Sequence, residues 1–121
     1  MTGQIELLDY LDTLESKGFD ILDYIPTGHE NAVTRAELCN RTGIPDRAVR
    51  LAIHKARRRI PILNMQDAQG YFIPDMNRAE ERLMLKRYVQ QETSRLKSIG
   101  WSLKAARQTL KACGIDWRDA S

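Results

Sequence analysis

The segment from Thr34 to Arg59 constrains this chain more than any other, because two short helix-forming stretches meet there across a single glycine. Thr34 offers a side-chain oxygen as an N-cap, and Glu37 stands three residues later, completing a capping-box pattern. The first stretch, Arg35 to Arg41, stops at Thr42-Gly43, where glycine allows the backbone to reverse tightly. Ile44-Pro45-Asp46 restarts the chain, with proline tolerated in a first helical turn, and the second helix is expected to run through Arg59. Within it Val49, Ala52, Ile53 and Ala56 recur at helical spacing and form one apolar stripe. Arg47, Arg50, Leu51, His54 and Arg58 fall largely on the other side. Two helices joined this closely cross steeply, so the first braces the second and leaves its outer face to solvent.

The flanks supply the remaining core. Ile5, Leu7, Leu8, Leu11 and Leu14 have the spacing of an amphipathic helix that Gly18 ends, and Phe19, Ile21, Leu22 and Ile25 add a short helical segment stopped by Pro26. Ala32-Val33 has room for one short strand. After Pro61, Ile62-Leu63 and Tyr71-Phe72-Ile73 read as the arms of a β-hairpin around the turn Asp67-Ala68-Gln69-Gly70. Alternation on the return arm predicts that Tyr71 and Ile73 pack inward, with Gln66 to Gln69 a mobile tip. Asp75 or Asn77 is expected to cap a helix over 78–99. Gly100 is expected to break it, and Ser102 to cap a last helix ending at Gly114.

Charge is segregated along the chain. Residues 1–30 hold one lysine against seven acids, a balance of −6, and residues 41–60 hold seven cations against one acid, a balance of +6. The net charge of +3 conceals this. Positive charge concentrated on one element suits a polyanion. The plainer alternative is a solvated helix face, or a basic patch docking on the acidic segment of the same chain or of a partner.

Helix, short strand, helix, tight turn, basic helix and hairpin make up the order of a winged helix-turn-helix. The fold expected is therefore mainly α with a small β-hairpin: a winged helix-turn-helix with its N-terminal helix over residues 1–76, and a C-terminal helical extension over 77–121. In such a domain the second helix projects into a major groove about 12 Å wide. The stretch IPTGHENAVTRAELCNRTGIPDRAVRLAIHKARRR, followed by PILNMQDAQGYFIP, also resembles small winged helix-turn-helix proteins of bacteriophages and bacterial mobile elements. That likeness covers under half of the chain and implies a double-stranded DNA-binding role in gene regulation or phage replication. Pro45 departs from it where a serine or threonine cap is usual, and Ala56 where a larger aliphatic residue is common.

The residues assigned to DNA are Arg47, Arg50, His54, Lys55, Arg57, Arg58 and Arg59. Arg47, Arg50 and His54 are expected at base edges or nearby phosphates, and the arginine triplet is expected to add phosphate attraction. The alternative role is a protein-interaction or replication-initiation adaptor with weak, unselective DNA binding, its partner docking on the acidic N-terminal helix. Leu85, Val89, Leu96 and Ile99, with Glu92 interrupting them, have the 4-3 spacing of helices that pack along their length, and are assigned to a homodimer. In the alternative, Leu103, Ala106 and Leu110 fold back across Gly100 as an intramolecular helical hairpin.

Catalysis, cofactor and metal are not expected. His29 and His54 lack metal-ligand spacing and a catalytic trio, phosphate-cradling glycine motifs are absent, and Asp9, Asp12 and Glu15 read as separate solvated carboxylates. Cys39 and Cys113 read as reduced helix residues. Without a long apolar run or a basic, apolar leader, the expected location is the cytoplasm of a bacterial or phage-infected cell, with no membrane partner.

Overall fold

The computed structural model describes residues 2–118, with side chains from Glu6 onward, so the side chain of Ile5 lies outside the described residues. The chain divides into two compact units, Met1–Leu85 and Lys86–Ser121. The first unit contains helices α1 (Thr2–Ser16), α2 (Arg35–Thr42) and α3 (Asp46–Ala56), and an antiparallel pair of strands, β1 (Leu63–Asn64) and β2 (Tyr71–Phe72). Helix α4 (Ala79–Ala112) begins in the first unit and makes up most of the second. Among the described residues no helix is long and apolar enough to cross a membrane.

The main core of the first unit gathers around α3. Leu11 of α1, Ile21 and Ile25 of the short helical turn, Leu38 of α2 and the inner face of α3 close around it, with Val33, Ile44 and Ile62 from the connections. On α3 the buried set is Ala48, Val49, Ala52, Ile53 and Ala56. The expected stripe is there, widened by Ala48. Three of the five are alanines, which lets neighbouring helices approach its axis closely.

The caps form as the residue types demand. The Thr34 hydroxyl accepts from Glu37 N–H at 3.1 Å, and Thr34 N–H donates to the Glu37 carboxylate at 3.0 Å. Gly43 takes φ 74°, and its N–H caps α2 on the Cys39 carbonyl. Pro45 is the N-cap of α3 and makes no side-chain cap bond, so this helix start relies on Asp46 in its first turn.

The hairpin register is Leu63 with Phe72 and Asn64 with Tyr71. Tyr71 and Ile73 pack half-buried against the core, as the alternation predicts, and Phe72 on the opposite face is fully buried as well, so both faces of this arm are covered. A third chain segment pairs along its free edge. Val33 bridges to Tyr71 through two hydrogen bonds, of 3.0 and 2.7 Å, and Thr27 bridges to Ile73. Gly70 makes this possible, since a Cβ on it would stand 2.0 Å from the Val33 carbonyl oxygen.

The tip is tied down. His29 Nε2 lies 2.7 Å from an Asp67 carboxylate oxygen, and its ring lies 4.9 Å from that of Phe72, centre to centre. Asp67 also accepts from Gln69 N–H, and that bond, with His29 second, holds its pKa below the usual carboxylate value.

Glu81 fastens the start of α4 within the first unit. This carboxylate is 1% exposed and accepts from the backbone N–H of His29 at 3.2 Å and of Asp75 at 2.9 Å.

Helix α4 corrects two expectations. It does not break at Gly100, and Ser102 starts no new helix. A glycine inside a helix costs about 1 kcal/mol, and the strong helix formers that follow, from Leu103 to Lys111, offset that. Residues 103–110 therefore continue the same helix and do not fold back across Gly100.

Candidate nucleic-acid interface

Helix α3 turns its charge outward because its apolar side is fully occupied. With Ala48, Val49, Ala52, Ile53 and Ala56 inside, the 3.6-residue period leaves Arg47, Arg50 and His54 on the opposite face. All three are exposed. Arg47 and His54 make no ion pair among the described residues, and neither does exposed Arg58. Arg50 Nε lies 3.1 Å from Asp46, an i,i+4 pair across a surface where such contacts hold little energy. Leu51, expected on this side, instead packs half-buried against the core.

The helix ends three residues earlier than expected, at Ala56, and Arg57 to Arg59 form a turn. The N–H groups of Arg58 and Arg59 bond carbonyls three residues back, tightening the coil ahead of Pro61. This redirects the arginine triplet. Arg57 donates from Nε to the Ile62 carbonyl at 3.0 Å and lies over the Tyr71 ring at 5.9 Å, joining the helix end to the hairpin. Arg59 donates to Asp20 at 3.2 Å. Arg58 alone of the three keeps its guanidinium clear of the partners described.

Lys55 is drawn the other way. Its side chain is 29% exposed, and its ammonium donates to Glu15 at 2.5 Å and Asp12 at 3.2 Å, both on α1. The Glu15 carboxylate, and Asp12 beside it, hold its pKa above the usual lysine value. Part of the basic cluster thus docks on the acidic helix of its own chain, and part faces outward. The seven assigned residues divide accordingly. Arg47, Arg50 and His54 share the open side, Lys55 and Arg59 sit against α1 and the turn after it, exposed Arg58 lines the groove between them without an ion pair among the described residues, and Arg57 braces the hairpin.

One basic residue was missed in the sequence. Arg35, at the start of α2, pairs with Asp46 at 2.5 Å and lines a groove of about 260 Å³ with Asn64, Gln66 and Tyr71. The Asp46 carboxylate, with Tyr71 second, raises its pKa.

The other assigned residues fall in different places. Leu85 is half-buried in the first unit, and Val89, Leu96 and Ile99 are exposed in the second. Among the described residues no group of three or more His, Cys, Asp or Glu side chains is placed to hold a metal ion.

A bracing helix, a glycine turn, a second helix with an open basic face and a small hairpin packed beside it define a winged helix-turn-helix-like domain, an architecture compatible with a DNA or a protein partner. No protein family, curated protein or solved structure matches the chain, so its architecture alone places it in that class.

Proposed function

We propose that this protein binds double-stranded DNA through the outer face of α3, as a transcriptional regulator of the phage or mobile-element kind acting as a pair of chains. The observation that carries the reading is the arrangement of Arg47, Arg50 and His54: exposed, on the side of α3 opposite five buried residues, and largely free of intramolecular partners, with exposed Arg58 in the turn beyond. Arginine on such a helix pairs bidentately with guanine and contributes about 1–3 kcal/mol of discrimination between bases. The same residues attract phosphate, so binding weakens steeply with salt. The reading assigns the protein no catalytic step.

The test is selection from a random duplex library, followed by fluorescence anisotropy on the enriched site and on a scrambled duplex. Arg50→Ala is expected to reduce affinity for the enriched site more than for the scrambled one. Equal losses reduce Arg50 to a phosphate contact, and no duplex binding by the wild-type chain at low salt defeats the proposal.

A second reading, a protein adaptor, has its own support. The hairpin tip carries Asp67 and no cation, and Lys55 and Arg59 are already paired within the chain. Both features reduce attraction to phosphate. The adaptor reading expects the library selection to yield no motif across a range of salt concentrations.

A further inference from the structure

The second unit is a helix without a core. None of its described residues is buried, and between Lys86 and Ala112 only Tyr88 and Leu110 are even half-buried. Because α4 continues through Gly100, the seam read from Val89, Leu96 and Ile99 continues as well. It runs Val89, Glu92, Leu96, Ile99, Leu103, Ala106, Leu110, Cys113, with alternating steps of three and four residues throughout. Leu96 is 70% exposed, and Val89, Ile99 and Leu103 are 53%, 45% and 44% exposed. A stripe with this period stays on one side of the helix and suits a second helix lying along it.

We infer that this seam packs against the same seam of a second copy of the chain, antiparallel, about a two-fold axis midway between Ile99 and Leu103, level with residue 101. The inference rests on the proposed pairing and adds its orientation and register. Glu92 decides first. In a parallel pair each seam residue meets its own copy, so two Glu92 carboxylates share one layer. In the antiparallel pair Glu92 lies nine residues from the axis on each chain, which separates the two carboxylates by about 27 Å at 1.5 Å per residue. That is far beyond the screening length of about 8 Å in physiological salt. Each carboxylate stays beside its own Arg95, 3.8 Å away.

Side-chain size points the same way. A parallel pair stacks Ala106 on Ala106 and Cys113 on Cys113, two thin layers. The antiparallel register sets Leu96 against Ala106 of the second copy, Ile99 against Leu103, and Val89 against Cys113, so no layer has two small residues.

Gly100 is the third observation. It sits inside a helix with no positive φ, and nothing lies within 4 Å of the Cβ it lacks, so neither the backbone nor a close contact within its own chain requires a glycine there. In the antiparallel pair Gly100 and Ser102 flank the seam at the axis, each facing its own copy, where small residues let the helices approach closely.

The extent is adequate. Seven apolar or small seam positions per copy, each giving up roughly 60–100 Å², bring the interface to about the 1,000 Å² that a specific contact needs.

The full chain with Cys39→Ser, which leaves Cys113 as its one thiol, tests this. Sedimentation equilibrium at tens of micromolar is expected to give twice the 13.9 kDa chain mass. Gly100→Leu, a change that raises helix propensity, is expected to weaken self-association at least about tenfold, because it places two leucines at the axis. Adding Val89→Cys is expected to allow rapid oxidative cross-linking between chains through residues 89 and 113, while Cys113 alone cross-links slowly. A strictly monomeric wild-type chain overturns the pairing itself. Rapid Cys113-to-Cys113 cross-linking leaves the pairing standing and overturns the antiparallel orientation. A Gly100→Leu chain that pairs as tightly as wild type overturns the register.

Discussion

Gly70→Ala is the substitution whose effect follows most directly from the geometry. Gly70 has φ 102°, where a residue with a Cβ is strained. The added methyl would also stand 2.0 Å from the Val33 carbonyl oxygen, 2.3 Å from its carbon and 2.6 Å from Thr34 N. All three are backbone atoms, and no rotamer change moves them. The contact is relieved only if Val33 and β2 separate, which breaks the 3.0 and 2.7 Å hydrogen bonds between Val33 and Tyr71. Two such bonds contribute about 1 kcal/mol each, and the left-handed backbone adds about 1 kcal/mol, for a loss of about 3 kcal/mol. In a unit of this size that lowers Tm by roughly 12–24 °C. Urea denaturation of the full chain, followed by tryptophan-independent far-UV circular dichroism, measures it. Gly43→Ala is the control. Gly43 also has positive φ, but nothing lies within 4 Å of its would-be Cβ, so only the strain of about 1 kcal/mol is expected. If Gly70→Ala proves no more destabilising than Gly43→Ala, the close approach of Val33 to the hairpin is wrong.

Lys55→Ala is expected to leave duplex affinity within about twofold of wild type while Arg47→Ala lowers it several-fold, because Lys55 already binds Glu15 and Asp12; anisotropy titrations giving equal losses contradict that division. Glu81→Ala leaves the N–H groups of His29 and Asp75 without their acceptor and is expected to destabilise the fold by about 2 kcal/mol in urea titrations, a reasoning that a neutral result would end. Thr34 N–H and hydroxyl hold the Glu37 pKa below its ordinary 4.5, so its capping contribution is complete above pH 4.5 and disappears as pH falls through the lower folded value. Glu37→Gln, which does not titrate, is expected to be less stable than wild type at neutral pH and to converge with it in acid; a gap that stays constant down to the acid limit refutes the assignment.

Local chemistry made the central architecture readable from residues alone. The Thr34–Glu37 box, the Gly43 reversal, the inner stripe of α3 and the hairpin arms each depend on neighbours within a few positions, and each forms where its residues stand. So does the outward arginine and histidine face, which follows from one helix's period. What the tertiary structure decided involves partners distant in the chain. Lys55 and Arg59 look like their neighbours in sequence, and only the docking of Asp12, Glu15 and Asp20 beside α3 withdraws them from the open face. Strand alternation put Tyr71 and Ile73 on the core side but could not show that the other face is covered too, since Phe72 meets His29, 43 residues before it. His29 and Glu81 carried no local pattern, yet they tie the hairpin tip and the start of α4 to the same short loop. At Gly100 the local rule lost outright: one glycine's cost of about 1 kcal/mol is small beside the summed preference of the helix formers around it, and α4 runs on.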